Sequence, residues 1–342
     1  MASAAQGATM AEKGVQRVLG LLNGYQATCV IAAAARLKLF ESLADGPRSA
    51  EAVSRYVQAD RDSLDRLVRA LVSLDLLTRA GDRLSLTQDG RMLVADGIRD
   101  LTTLVGEQYL QAWTALARSV SSGQTVYRQE MGMTAWEYRR RNPRLNEAFN
   151  RFARHIQKAT LETLYENYDF SRFSCVADVG GGSGQLLAGI LQRCPNTRGV
   201  LFDQPHVVRQ FDRELESSDL SARCRIVGGS FFEGAPRGAD LYILQHVLHD
   251  WADDECLRIL RSCGAAMEAG GALLVLEKML PGDGQTPPFL AMRDLHMMAV
   301  LGGKERTLEQ YTELLAEAGL GVTSHVELAP PCPDILEARL IS

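Results

Sequence analysis

His249 is the residue whose type and setting best suit it to moving a proton. It stands in Gln245-His246-Val247-Leu248-His249-Asp250-Trp251, directly after the apolar run Leu241-Tyr242-Ile243-Leu244. A buried strand therefore delivers polar groups at its carboxyl end, the edge where open α/β sheets bind ligands. Imidazole titrates near neutrality, which suits it to taking a proton from a hydroxyl. Two acids stand at comparable positions: Glu277, closing another apolar run, and Glu305, in Gly302-Gly303-Lys304-Glu305-Arg306-Thr307. If both converge on the ring, one nitrogen is held by carboxylate and the other stays free as the base, the orienting logic of a catalytic triad. The plainer alternatives are a structural histidine, an ion pair of Glu277 with Lys278 or Arg306, and a solvated Glu305.

A second chemical element precedes these. Cys175-Val176-Ala177-Asp178-Val179 runs into Gly180-Gly181-Gly182-Ser183-Gly184, a strand breaking into a glycine turn at the mouth of a helix. Glycines allow close backbone approach to a ligand. The dinucleotide fingerprint G-x-G-x-x-G fails, because its last position falls on Gln185 counting from Gly180 and on Leu187 counting from Gly182. No Gly-Lys-Ser/Thr follows, so a Walker-type phosphate loop is excluded as well. An adenosyl cofactor without phosphates, such as S-adenosylmethionine, fits better than a nicotinamide dinucleotide. Asp203 ends the next strand, about twenty residues on, where an acid commonly takes ribose hydroxyls; the alternatives are a tight strand-helix connection and a helix cap before Pro205.

These groups need elements to carry them, and 342 residues suffice for two domains. A net charge of -5 without a lysine/arginine block offers no footprint for nucleic acid or anionic membrane. Seven cysteines, Cys29, Cys175, Cys194, Cys224, Cys256, Cys263 and Cys332, form no C-x-x-C pair, so neither a disulfide framework nor a metal site is expected. Residues 1–14 lack the order of a secretory signal and read as a frayed tail. The apolar stretch 21–40 is interrupted by Asn23, Gly24, Gln26, Arg36 and Lys38, too polar a set for a membrane span. A reducing cytoplasm is the expected location.

Helical spacing runs over 14–40, and short helices over 49–57 and 60–77 precede strand-like residues flanking Ala80-Gly81-Asp82. This is a winged-helix pattern, which raises DNA binding. Asp60, Asp62, Asp65 and Asp75, interleaved with Arg61, Arg66 and Arg69, would meet a phosphate backbone with mixed charge, so a role in self-association is preferred over a ligand-sensing DNA-binding regulator. Residues 101–170 are mostly helical, with Phe149, Phe152 and Ala153 on one face suited to walling an aromatic pocket. From 171 onward strands at 175–179, 199–202, 225–228, 240–244 and 271–277 alternate with helices from 184 and 207 and over 253–268 and 307–318. This predicts a doubly wound, Rossmann-like α/β sheet. Two last strands, 321–328 and 334–341, predict an antiparallel edge hairpin.

The ordered set DVGGGSG, LFDQPHVV, GGSFFEGAPRGADLYIL, HDW, LEKMLP and GGKERT resembles the S-adenosylmethionine-dependent small-molecule O-methyltransferases, the plant caffeate/flavonoid and bacterial aromatic-polyketide/phenazine type. The resemblance covers nearly the whole chain. It implies a winged-helix dimerisation domain over 1–100, a helical segment over 101–170 contributing to the substrate pocket, and a catalytic domain over 171–342. It implies a homodimer, a phenolic acceptor and no metal, nucleic-acid or membrane partner. By the same resemblance His249 is the base and Glu277 and Glu305 orient it. Asp178, Gly180, Gly182, Asp203, Gln204, Ser230, Phe231 and Gln245 hold the cofactor, and Phe149, Phe152, Ala153, Ile156, His246, Met292, Leu295, His296 and Val300 line the acceptor site. The sequence departs from many relatives at Ser230, where an aspartate is common, and from plant relatives at Gln245, where a lysine is common. A few bacterial relatives run hydroxylation, decarboxylation or pericyclic chemistry on this scaffold; His249, Glu277 and Glu305 together favour methyl transfer.

Overall fold

A computed structural model describes residues 10–209, 220–282 and 284–341. They divide into two compact units, with the boundary between Leu110 and Gln111.

The first unit begins with a helix over Met10–Arg36, which starts inside the expected tail and ends four residues before the expected Phe40. Helices Ala50–Val57 and Arg61–Ser73 follow, their first turns capped by Ser49 and Asp60, whose side-chain oxygens accept from the Ala52 and Ser63 N–H groups. Their buried faces, Val53 and Val57 on one and Leu64, Val68 and Leu71 on the other, join Leu39, Phe40 and Leu43 in one core. Strands β2 (Leu77–Ala80) and β3 (Arg83–Leu86) form the wing, and a two-residue strand β1 (Arg48–Ser49), absent from the sequence reading, completes the sheet in the order β1-β3-β2. Among the arginines of this region, Arg69 and Arg79 converge on Asp65, and Arg61 on Asp82.

The Met10–Arg36 helix departs from expectation in a second way. Its Glu12–Arg36 stretch has a mean hydropathy of 1.4 over its most apolar window, so it is long and apolar enough to cross a membrane, because its polar residues are outweighed by the run of valine, leucine, isoleucine and alanine. Val15, Val18, Leu19, Leu21, Leu22 and Tyr25 all lie exposed on it.

The second unit is built on a seven-stranded sheet ordered β6-β5-β4-β7-β8-β10-β9. Its strands are β4 (Cys175–Val179), β5 (Arg198–Asp203), β6 (Cys224–Gly228), β7 (Leu241–Gln245), β8 (Ala272–Glu277), β9 (Leu320–Val326) and β10 (Asp334–Leu340). The first five pair in parallel, and β10 lies antiparallel between β8 and β9. Every residue of β4, β7 and β8 is buried, as expected where both faces of a parallel sheet are covered. The helix expected from Val207 begins at Pro205 and is described only to 209; the rest of its range lies outside the described residues. Helices Asp253–Ala266 and Leu308–Glu317 match expectation closely, the latter opened by a reciprocal Thr307/Gln310 cap. The helix Pro288–His296, continued by a π-turn over Met297–Leu301, was not foreseen. Strand order reverses between β4 and β7, so the carboxyl ends of β4, β5, β7 and β8 surround the crevice where such sheets take ligands.

Candidate active site

Glycine supplies the geometry of the turn after β4. Gly180, Gly182 and Gly184 have φ of 76, 55 and 69°, a region costly for other residues. A Cβ on Gly181 would sit 2.5 Å from Asp178 Cγ, and one on Gly180 would sit 2.8 Å from Val247 Cγ2 and 3.7 Å from a Phe231 ring carbon. The turn is thus pressed between the end of its own strand and the loop after β7. Asp203, at the end of β5, accepts from the Gly182 N–H at 2.9 Å and the Gln204 N–H at 2.6 Å. Asp178 is buried beneath the turn. Burial, reinforced by the Asp203 charge, raises its carboxyl to about 7. Burial raises Asp203 as well, against the two N–H groups it accepts.

Buried acceptors at this turn lack donors: Asp178 Oδ2 has no hydrogen-bond partner, nor has Gln185 Oε1 in the first turn of the following helix. Ser230 Oγ accepts from the Phe232 N–H at 3.3 Å. Phe231 meets Phe232 and Trp251 edge-on, with centroids 4.8 and 5.9 Å away. Gln245 Oε1 accepts from Gln157 Nε2 on the Pro143–Lys158 helix, while its own amide nitrogen is buried without a partner.

Across the crevice, the three groups expected to work together are together. His249 lies in a short 3-10 turn, Leu248–Asp250, and its Nδ1 is 3.2 Å from Glu277 Oε2 and 3.2 Å from Glu305 Oε1. The His249 backbone N–H also donates to Glu277 Oε1 at 3.2 Å. Both glutamates are fully buried at the side chain. Gly303 explains how the Glu305 loop comes so near: a Cβ there would lie 2.0 Å from the His249 carbonyl oxygen. Fully buried Arg306 ties the same turn down, donating to the Leu248 carbonyl at 3.0 Å, the Trp251 carbonyl at 2.8 Å and Asp253 Oδ1 at 2.7 Å.

The structure corrects one expectation. The second ring nitrogen is not free, because Asp250 Oδ1 stands 3.3 Å from Nε2. Burial opposes charging the ring, yet Glu277, Asp250 and Glu305 together raise its titration to about 9. Asp250 itself is pushed up by burial. Neither Asp250 nor Arg293 was singled out from the sequence, although Asp250 sat inside the quoted HDW motif. Arg293 Nε is 2.7 Å from Glu305 Oε1, and its Nη2 is 2.9 Å from His249 Nδ1.

The residues expected around the acceptor divide. The His246 ring stacks on His249 at 5.5 Å, and its Nδ1 lies 3.5 Å from the same Glu277 oxygen. Its φ of 52° is strained for a histidine. His296 Nδ1 accepts from Trp113 Nε1 at 3.2 Å, and burial, with the Arg139 charge, lowers it to about 4. Phe149 packs edge-on against Trp136 at 5.3 Å beneath the Arg139 guanidinium, and Phe152 and Leu295 are half-buried. Val300 is fully buried in the π-turn. Ala153, Ile156 and Met292 are exposed. His246, His249 and Glu277 also bring ligand atoms within 4.8 Å of one another, but the Arg293 cation beside His249 Nδ1 disfavours a metal ion there.

Comparison with known proteins agrees with this geometry. The O-methyltransferase domain family matches residues 113–321, and the O-methyltransferase dimerisation domain family matches residues 19–96. The chain is 34% identical over 328 residues to the phenazine O-methyltransferase PhzM of Lysobacter antibioticus, covering 95% of this chain and 96% of that one. It superposes on the mitomycin 7-O-methyltransferase MmcR with a TM-score of 0.90 at 30% identity, covering 96% of this chain and 98% of that one. An O-methyltransferase of neocarzinostatin biosynthesis, solved with S-adenosylmethionine and 2-hydroxy-5-methyl naphthoic acid, superposes with a TM-score of 0.82 at 32% identity over 92% of this chain and 96% of that one. S-adenosylmethionine also fits the chain's own residues, since its ammonium and ribose hydroxyls are the donors that the buried Asp178 and Gln185 oxygens lack. The chain belongs to the S-adenosylmethionine-dependent O-methyltransferases that carry their own dimerisation domain.

Proposed function

We propose that the protein methylates a hydroxyl on an aromatic ring of a secondary metabolite, as a cytoplasmic homodimer, with His249 as the general base. The observation that carries this reading is His249 Nδ1 held 3.2 Å from each of two buried glutamates, two residues after Val247, which presses on the glycine turn at Gly180. Bound at that turn, S-adenosylmethionine supplies a methyl carbon on a sulfonium sulfur. Asp178, Gly180, Gly182, Asp203 and Gln204 hold its polar groups, while Ser230, Phe231 and Gln245 bound the adenosine.

The chain's own work is on the acceptor. Phe149, Phe152, Leu295 and the half-buried His246 and His296 present ring faces and apolar edges suited to a planar phenol. Ala153, Ile156, Met292 and Val300 complete that wall as the helices settle around the acceptor. His249 Nε2, once its 3.3 Å contact with Asp250 gives way, takes the proton of the acceptor hydroxyl. Glu277 and Glu305 then hold the imidazolium through Nδ1, an interaction worth more at that moment than before it. A phenol with a pKa of about 10 gains roughly 10²- to 10⁴-fold from such a base. The relatives reported above are named for phenazine and mitomycin chemistry, which supports a polycyclic acceptor. In the first unit, the exposed apolar residues of the Met10–Arg36 helix supply the surface for self-association.

Incubation with methyl-labelled S-adenosylmethionine and a panel of phenolic polyketides, phenazines and flavonoids, followed by mass spectrometry, tests the reaction. Mass gain on a ring oxygen supports it, whereas hydroxylated or decarboxylated products would replace it with the diverted chemistry. His249→Ala tests the base: turnover on an unactivated phenol drops at least a hundredfold while calorimetric affinity for S-adenosylhomocysteine holds. Unchanged turnover rejects the role.

A further inference from the structure

We infer that Arg293 is a positioning residue for methyl transfer: its guanidinium claims Glu305 and faces His249 Nδ1, which keeps the imidazole from being locked in its doubly protonated form. The inference rests on the reading of His249 as the base, and it concerns what allows that base to be empty of its proton.

The charges around the ring pose the problem. Glu277 comes from the end of β8, Glu305 from the loop before the Leu308–Glu317 helix, and Asp250 from the turn that carries His249 itself. Three carboxyl groups within 3.3 Å of one buried imidazole favour a permanent imidazolium, which accepts nothing. The cations facing the cluster are few. His246 shares Glu277 with His249, and burial lowers its pKa. His296, on the helix that carries Arg293, is held neutral by burial. Arg139 acts on Asp250. Arg293 is the cation in direct contact with both Glu305 and the ring, at 2.7 and 2.9 Å.

The contact pattern shows how it works. A guanidinium N–H can donate to Nδ1 only when that nitrogen carries no proton. In the neutral tautomer whose proton sits on Nε2, facing Asp250, Nδ1 can accept that N–H across the 2.9 Å approach. When the proton sits on Nδ1 it points at Glu277, Arg293 stays on Glu305 alone, and Nε2 can receive the acceptor's proton once its 3.3 Å contact with Asp250 gives way. Both tautomers are neutral, and a nearby guanidinium disfavours only the third, charged form. A base is most useful when its pKa lies near the working pH, and Arg293 moves His249 in that direction. Its neighbour strengthens the arrangement: Asp294 accepts the Glu305 backbone N–H at 2.9 Å, so one helix grips Glu305 by main chain and side chain together.

Arg293→Gln, measured alongside the parent enzyme, tests this directly. Titration of ¹³C-labelled histidine by NMR, with the His249 signal assigned by its loss in His249→Asn, reports the ring's proton affinity whether or not the ring is the base. We expect the His249 midpoint to rise by one unit or more in Arg293→Gln, as removal of a neighbouring like charge requires. The acid limb of kcat/KM should move alkaline by the same amount, a loss of about tenfold at fixed pH per unit moved. Arg293→Lys should keep most of the parent midpoint, and adding Glu305→Gln to Arg293→Gln should bring it back down. An unmoved midpoint in Arg293→Gln overturns the inference. A uniform loss of kcat at every pH with no shift also overturns it, because that is what simple loss of packing produces. Failure of the base reading looks different: His249→Asn would then turn over like the parent while the Arg293→Gln midpoint still moved.

Discussion

Alanine at position 303 should break the site by pushing on main chain alone. The Cβ it adds lies 2.0 Å from the His249 carbonyl oxygen, 2.4 Å from the Asp250 carbonyl carbon and 2.5 Å from the Trp251 nitrogen. Non-bonded heavy atoms do not tolerate such distances, and here all three neighbours are backbone, so the Leu248–Asp250 turn must withdraw by about 1 Å to reach van der Waals separation. His249 rides on that turn. Its 3.2 Å contacts with Glu277 and Glu305 would open past hydrogen-bonding range. A displacement of about 1 Å near the reacting groups costs on the order of 10²-fold in rate, and overpacking of this kind costs roughly 1–3 kcal/mol in stability. Initial rates with labelled S-adenosylmethionine, thermal unfolding and calorimetric binding of S-adenosylhomocysteine should be measured on one preparation. The expected outcome is kcat/KM down about a hundredfold, a lower Tm, and nearly unchanged cofactor affinity. A Gly303→Ala enzyme with activity close to the parent's would refute the claim that this glycine sets the position of the base.

Because His249 works in its neutral form and titrates at about 9 in the free enzyme, kcat/KM should climb with pH from neutrality and level off near that value; a flat profile between pH 6.5 and 9 contradicts it. The sign for stability is opposite. A folded-state pKa raised above the ordinary 6.5 adds stability below 6.5 that is lost as pH rises through 9, so His249→Asn should flatten that part of the pH dependence of Tm. Asp178 titrates at about 7, and a cationic group arriving beside it would drive its proton off. S-adenosylhomocysteine binding, studied calorimetrically in buffers of different ionisation heat, should then release up to about half a proton at pH 7, and Asp178→Asn should abolish the release. Arg306→Met takes the charged donor from the Leu248 and Trp251 carbonyls, leaving them the weak Cys256 thiol, and should cost at least about 2 kcal/mol, read by denaturant unfolding.

The parts legible in the sequence are those where burial is monotonous and chemistry interrupts it. β4, β7 and β8 are apolar runs because both faces are covered, and the first polar residues after them, the glycine turn, Gln245 and Glu277, fall at the ligand edge. The grouping of His249 with Glu277 and Glu305 was readable for the same reason. What escaped depends on angles that a linear pattern does not carry. The short 3-10 turn swings Asp250 back onto Nε2, although alternation along the chain gives no sign of it. The Pro288–His296 helix shows little apolar periodicity, with Phe289 and Met292 exposed and Leu290 alone buried, so Arg293 and Asp294 had no recognisable element to stand on. Strand β1 is two residues long and exists only because β3 offers it an edge.

The Met10–Arg36 helix has a consequence for handling the protein. If two copies pair through Val15, Val18, Leu19, Leu21, Leu22 and Tyr25, which face water in the single chain, the melting temperature is not a property of one molecule. Pairing removes that surface from solvent only while both copies remain folded, so resistance to heat should strengthen as the solution is made more concentrated and fade on dilution.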